Sequence, residues 1–247
     1  MTEQSPESAQ FFLTTQTPCP YLEGKQERKL FTHLSGRRAQ MMHFVLSDHG
    51  FRRSQNLIYR PAWEGCAACK SVRIVVDAFS NARRHKRIRA LNRNVTSSAI
   101  DARATPEQYD LFKRYLIARH PGGGMTQMSY TDYEYMVEDT PVETMIVEYR
   151  TDRSDGHRLA GVALTDLMPD GLSMVYSFFD PDLPGRGMGN FMILDHVDRV
   201  RGSGQNYVYL GYWVKGSPKM AYKSTFGPLE VQRGAIGWQR LTASELS

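Results

Sequence analysis

The stretch that most limits the fold is Asp180-Pro181-Asp182-Leu183-Pro184-Gly185-Arg186-Gly187-Met188-Gly189, which joins an apolar segment at 171–179 to a helical pattern from Asn190 to about Arg201. A strand that runs through several glycines into a helix leaves backbone N–H groups unblocked at the positive helix end. Such a turn suits a phosphate or an oxyanion. Around it, residues 105 to 231 follow the order helix, hairpin, strand, glycine turn, helix, strand, helix. The first helix starts at Thr105-Pro106-Glu107, with Thr as cap and Pro at the first helical position, and stops at His120-Pro121-Gly122-Gly123-Gly124. Strands are expected at 143–149 and 159–167, joined through Asp152-Arg153-Ser154-Asp155-Gly156 as a hairpin. A strand from Tyr207 to Val214 and a last helix from Pro218 to Ser224 complete the unit, whose class is mixed α/β.

The first hundred residues read differently. A polar tail at 1–10 precedes a turn at Pro18-Cys19-Pro20, a helix from Ser35 to Ser47, and strands at 57–59 and 71–76. Between those strands lies Cys66-Ala67-Ala68-Cys69. From the cap residue Ser80, Ile88, Leu91 and Val95 share one helical face, with Arg83, Arg84, Lys86, Arg87, Arg89 and Arg93 around the rest. The division expected is a tail at 1–10, a smaller basic Cys-containing unit at 11–100, a second unit at 101–240 and a tail at 241–247.

Charge separates the two units. Residues 1 to 100 hold sixteen Lys and Arg against seven Asp and Glu, whereas residues 101 to 247 hold fifteen against nineteen. The basic part is expected to face a polyanion, since each neutralised phosphate releases counterions. No apolar run approaches the roughly 18 to 20 residues that span a bilayer, and the N-terminus lacks a secretory pattern. Three cysteines are of the wrong parity for a disulfide framework. The expectation is a cytoplasmic protein without a membrane partner.

The C-terminal order resembles that of GNAT acyltransferases, whose pyrophosphate-binding turn corresponds to Gly185, Gly187 and Gly189. The Arg or Gln usual five residues before the last glycine falls at Pro184 here, with Arg186 displaced. Beyond this, Cys19-Pro20-Tyr21-Leu22, Tyr59-Arg60-Pro61, Cys66-Ala67-Ala68-Cys69, the basic helix, Leu210-Gly211-Tyr212-Trp213 and Met220-Ala221-Tyr222-Lys223 together resemble the arginyl/leucyl-tRNA–protein transferase family over nearly the whole chain. The bacterial branch of that family moves leucine. The resemblance implies a GNAT-like C-terminal domain, aminoacyl-tRNA as donor with leucyl-tRNA foremost, an acceptor protein beginning with Asp or Glu, and a role in N-degron turnover.

An aminoacyl ester is already activated, so no cofactor is required and positioning should dominate. Gly187 and Gly189 are candidates for stabilising the oxyanion, Tyr222 for protonating or orienting the leaving ribose oxygen, and His120 for a base. Arg186, Lys219 and Lys223 are candidates for the acidic acceptor side chain, with Tyr59, Arg60 and Cys19 as further substrate-binding candidates. Met125 and Met128 offer an apolar lining for a leucyl group. Arg83, Arg84, Lys86, Arg87, Arg89 and Arg93 are the tRNA-binding candidates. Cys19, Cys66 and Cys69 have zinc or iron–sulfur spacing for three of four positions, against a reading as reduced thiols. Related eukaryotic enzymes carry a second cysteine where this chain has Leu22.

Three other readings stay open on the residues alone. An arginyl-tRNA–protein transferase would need carboxylates in its donor pocket. A GNAT acetyltransferase using acetyl-CoA accounts for the C-terminal order but not the basic half. An RNA-binding protein with a small metal module accounts for the basic half but not the strand–turn–helix unit.

Overall fold

A computed structural model describes residues 9–153, 156–183 and 185–246. Short strands β1 (Phe12–Leu13), β2 (Thr17–Pro18) and β3 (Gln26–Glu27) lead into β4 (Lys29–His33), helix α1 (Ala39–Asp48), β5 (Arg52–Ser54), β6 (Leu57–Pro61) and β7 (Cys69–Val75). Helix α2 (Arg83–Leu91), β8 (Val95–Asp101), α3 (Pro106–Arg119) and α4 (Tyr130–Glu138) follow. The remainder is β9 (Thr144–Arg153), β10 (Gly156–Met168), β11 (Gly171–Phe179), α5 (Met188–Gly202), β12 (Tyr207–Val214), β13 (Leu229–Gln232), β14 (Trp238–Arg240) and α6 (Ala243–Leu246).

Eight strands form one sheet in the order β14-β13-β7-β12-β11-β10-β9-β8, and four form a second, β1-β4-β6-β5. The large sheet takes strands from both sides of residue 100. Its β9–β10 hairpin, β11, α5 and the parallel β12 realise the GNAT-like order expected of the second half. On one face, Ile193, Leu194, Val197 and Val200 of α5 pack against Val72, Ile74, Val208 and Leu210. On the other, Leu111, Phe112 and Leu116 of α3 and Tyr133 and Val137 of α4 meet Ile146, Val162 and Leu164. Each such side chain contributes about 1.5–3 kcal/mol on burial, which fixes both layers.

The small sheet is pinned to the large one by polar contacts. Arg53 Nε and Nη2 donate to Asp166 at 2.7 and 2.5 Å, and the Tyr212 hydroxyl donates to the carbonyls of Gly50 and Tyr59, both at 2.9 Å. Among the described residues no helix is long and apolar enough to cross a membrane.

Several expectations are corrected in detail. Val95 does not extend the basic helix: Asn92 Nδ2 donates to Ile88 O and ends it, and Val95 opens the edge strand β8 against β9. The final helix is a 3-10 segment over Ala221–Phe226, because Met220 and Ala221 both donate to the Ser217 carbonyl and start a tighter turn. Helix α4 lies between the stop at His120–Gly124 and the strand expected at 143–149, where the sequence reading places no element; Ser129 Oγ caps the Asp132 N–H, and Asp132 answers at Ser129 N. Residues 1–8 of the expected tail lie outside the described residues.

Candidate functional site

β11 and β12 pair in parallel at only three positions, Gly171↔Tyr207, Leu172↔Val208 and Ser173↔Tyr209. A Cβ at Gly171 would stand 1.8 Å from Tyr207 O, so glycine alone permits the close start. Beyond Ser173 the strands part, and β12 turns through a bulge at Gly211, φ 73°. The wedge between them is a cavity of about 1100 Å³, walled by Met174 to Ser177 of β11, Leu210 to Tyr212 of β12, and the glycine turn.

The turn is anchored at its root. Asp180 is 1% exposed and pairs with Arg114 at 2.8 Å and Arg158 at 2.6 Å, and its Oδ1 accepts the Asp182 N–H. The chain then reaches Gly187, φ 63°, which caps α5 without any side-chain hydrogen bond and with no acidic residue in the first turn. A helix start without a side-chain cap suits an anion. A Cβ on Gly189 would press to 3.2 Å from Phe179 Cε1. Gly187 and Gly189 both line the cavity. Arg186 does not: its carbonyl accepts from Asn92 Nδ2 and its Nη1 donates to Asn94.

The same cavity gathers Tyr59, His120, Lys219, Tyr222, Lys223, Met125 and Met128 from the sequence-based candidates. Tyr222 is 40% exposed as a residue, yet burial of its hydroxyl end, with Tyr115 and Tyr21 beside it, pushes the phenol up to about 12. His120 sits at the rim, and partial burial followed by the charges of Lys219 and Arg119 lowers its pKa, favouring neutral imidazole. Lys223 is 7% exposed and its Nζ donates to Leu210 O at 2.8 Å and Tyr212 O at 2.6 Å. Burial first, and then Arg52, pull that ammonium down to about 7. Lys223 thus secures the β12 bulge instead of standing free.

Arg60 is brought elsewhere, to a smaller cavity of about 380 Å³ that also holds Cys66 and Cys69. Its guanidinium lies 5.0 Å from the Phe51 ring. Cys19 lines neither cavity described. Arg52, which the sequence reading passed over, lines the large cavity and is 6% exposed. Its only sequence signal is an Arg-Arg pair at the start of a short strand next to Phe51.

The basic helix borders the site. Ile88 lies against Gly187, while Arg83, Arg84, Lys86, Arg87 and, beyond the helix end, Arg93 are exposed. Arg89 instead forks onto Asp198 of α5.

Residues 17–87 match the family model described as Arginine-tRNA-protein transferase, N terminus, and residues 107–233 match its C-terminal counterpart. The chain belongs to the arginine-tRNA–protein transferase family. Proteins named aspartate/glutamate leucyltransferase from Brucella ovis and Brucella melitensis are each 52% identical to this chain over 97% of it and 99% of their own length. Among solved structures, L-PGS from Bacillus licheniformis aligns at 12% identity with a TM-score of 0.46, covering 74% of this chain and 52% of that one. FemX aligns at 10% identity with a TM-score of 0.47, covering 70% and 60%.

In this family member the three cysteines are free thiols that share one neighbourhood. Burial, and then Cys19 and Cys66, push Cys69 up to about 11, which favours the protonated thiol. Among the described residues no group of three or more His, Cys, Asp or Glu is arranged to hold a metal ion.

Proposed function

We propose that this protein takes leucine from leucyl-tRNA and joins it to the N-terminal Asp or Glu of acceptor proteins in the cytoplasm, marking them for degradation. The observation that carries this reading is the 52% identity, end to end, with proteins named aspartate/glutamate leucyltransferase. The cavity supports it chemically. Six methionines line it, Met125, Met128, Met136, Met174, Met188 and Met220, and the one carboxylate among its described lining residues, Asp180, is already neutralised by Arg114 and Arg158. An arginyl donor would find no spare anion there, whereas a leucyl side chain finds soft apolar surface. Its cations Arg52, Arg119 and Lys219 suit an acidic acceptor, Arg53 being paired with Asp166 and Lys223 spent on two carbonyls.

The acceptor α-amino group, with an ordinary pKa of about 8, attacks the ester carbonyl carbon in its neutral form. Charge gathers on the carbonyl oxygen, where the N–H groups of the Gly187 to Gly189 turn receive it. The C–O bond to the ribose breaks as the Tyr222 hydroxyl gives its proton to the leaving oxygen, and the ammonium proton passes to neutral His120 directly or through water. Arg83, Arg84, Lys86, Arg87 and Arg93 hold tRNA phosphates beside the turn. In this reading the part before about residue 100 supplies the tRNA surface and the part after it aligns the ester.

The deciding assay incubates the protein with leucyl- or arginyl-tRNA and peptides beginning with Asp, Glu, Lys or Ala. Leucine on the Asp and Glu peptides alone is expected. Transfer of arginine, preference for a basic N-terminus, or activity with acetyl-CoA alone would overturn the reading.

A further inference from the structure

Three arginines are buried at or near the junction of the two sheets: Arg52, Arg53 and Arg73, each no more than 7% exposed. Two of them present the same edge of the guanidinium, Nε with Nη2, to a carboxylate. Arg53 does so to Asp166 at 2.7 and 2.5 Å, and Arg73 to Glu230, both at 2.9 Å. Arg52 is the exception. Its Nη1 donates to Phe51 O at 3.0 Å and Ser47 O at 3.4 Å, but Nε and Nη2 are buried with no hydrogen-bond partner among the described residues. The guanidinium lies 5.1 Å from the Tyr209 ring and 5.7 Å from the Trp238 ring, contacts that favour a cation without supplying an acceptor.

An unpaired buried guanidinium is costly, and a side-on N–H fork is shaped for one carboxylate. Neighbouring donors are spent: Tyr212 on two carbonyls and Lys223 on two more. Arg52 is therefore, among the described residues, the buried cation bordering the large cavity whose Nε and Nη2 have no hydrogen-bond partner.

We propose that Arg52 recognises the side-chain carboxylate of the acceptor's N-terminal Asp or Glu through its Nε–Nη2 edge, and so sets the preference for acidic acceptors. This rests on the leucyl-transfer reading and adds to it the residue that selects the acceptor. The role falls to Arg52 in place of Arg186, whose guanidinium is engaged with Asn94.

The test measures kcat/KM for leucyl transfer to matched peptides beginning with Asp, Asn, Glu and Gln, in wild type, Arg52→Gln and Arg52→Lys. Loss of a charge-assisted bond is expected to reduce the Asp-over-Asn ratio about ten- to a hundredfold in Arg52→Gln. Arg52→Lys keeps the charge but not the fork and should fall between. Leucyl-tRNA affinity is the folding control. A ratio in Arg52→Gln equal to wild type overturns the assignment. If Arg52→Gln does not fold, a wild-type ratio in Arg52→Lys overturns it, as does equal calorimetric affinity of the wild type for Asp and Asn peptides. A wild type that leucylates no acidic peptide overturns instead the leucyl-transfer reading beneath it.

Discussion

Ile88 of α2 lies beside Gly187 at the head of α5, where a Cβ built on the glycine would stand 3.5 Å from Ile88 Cγ1, an ordinary contact distance. The basic helix packs on α5, with Arg89 forked onto Asp198, so in the proposed reading a tRNA held by the first lies beside the second. Gly187 has a left-handed φ of 63°, which an L side chain adopts at a cost of about 1–2 kcal/mol. Gly187→Ala should lower the melting temperature by a few degrees, about the size that strain implies. Displacing the turn by a fraction of an ångström should cost far more in rate, about a hundredfold in kcat/KM. Equal small losses in both would detach the turn from the chemistry.

The cations of α2 divide into two kinds. Arg83, Arg84 and Arg87 are exposed and available to phosphates; Arg89 is spent on Asp198, a pair 28% and 46% exposed. Replacing the first three by Glu should weaken tRNA binding strongly at low salt and flatten the plot of log affinity against log salt by about two to three units. Arg89→Ala should change that slope less and lower stability by no more than about 1 kcal/mol. Filter binding across salt concentrations reads both, and no effect of the triple change at low salt moves the tRNA site elsewhere.

How far these features are legible in the chain varies with their physics. β9 to β12 and α3 announce themselves because one element at a time carries the signal: apolar strand runs, a Thr-Pro-Glu start, glycines at the stop. β8 hides because it is an edge strand with a polar run, Thr96-Ser97-Ser98, of which Thr96 and Ser98 are exposed. The Ser129 to Asp132 capping box was readable and would have located α4. Arg52 was not. Its importance comes from Tyr209, Tyr212 and Lys223 arriving beside it from far along the chain, and from the carboxylate it lacks, which only packing reveals. The misplacement of Arg186 has the same origin, since Asn92 and Asn94 claim it from the end of α2.

Lys223 should leave a signature in the pH dependence of stability. Its pKa drops from the ordinary 10.5 to about 7 on folding, so between those values the unfolded chain binds more protons and stability must rise with pH. Below about pH 7 the full cost of charging the buried amine applies. Lys223→Met loses the bonds to Leu210 O and Tyr212 O at every pH, an offset, but also removes the slope. Melting temperatures from pH 6 to 10 should therefore rise more steeply in wild type than in the variant. Parallel curves would mean that Lys223 keeps its charge in the fold.

Tyr222 stands at the mouth of the proposed chemistry with its phenol held at about 12. A raised phenol pKa keeps the proton on the oxygen near neutral pH, so that it is there to be given to a leaving oxygen. The residue is 40% exposed, and its hydroxyl carries no bond that the core depends on, so Tyr222→Phe should change stability by no more than about 0.5 kcal/mol. Single-turnover leucyl transfer should nevertheless slow about a hundredfold at saturating peptide, with KM for the peptide little altered, because the interaction matures only as the C–O bond breaks. A rise in KM at constant kcat would instead make Tyr222 a wall of the acceptor pocket. Unchanged values of both would leave the leaving oxygen to be protonated by water alone.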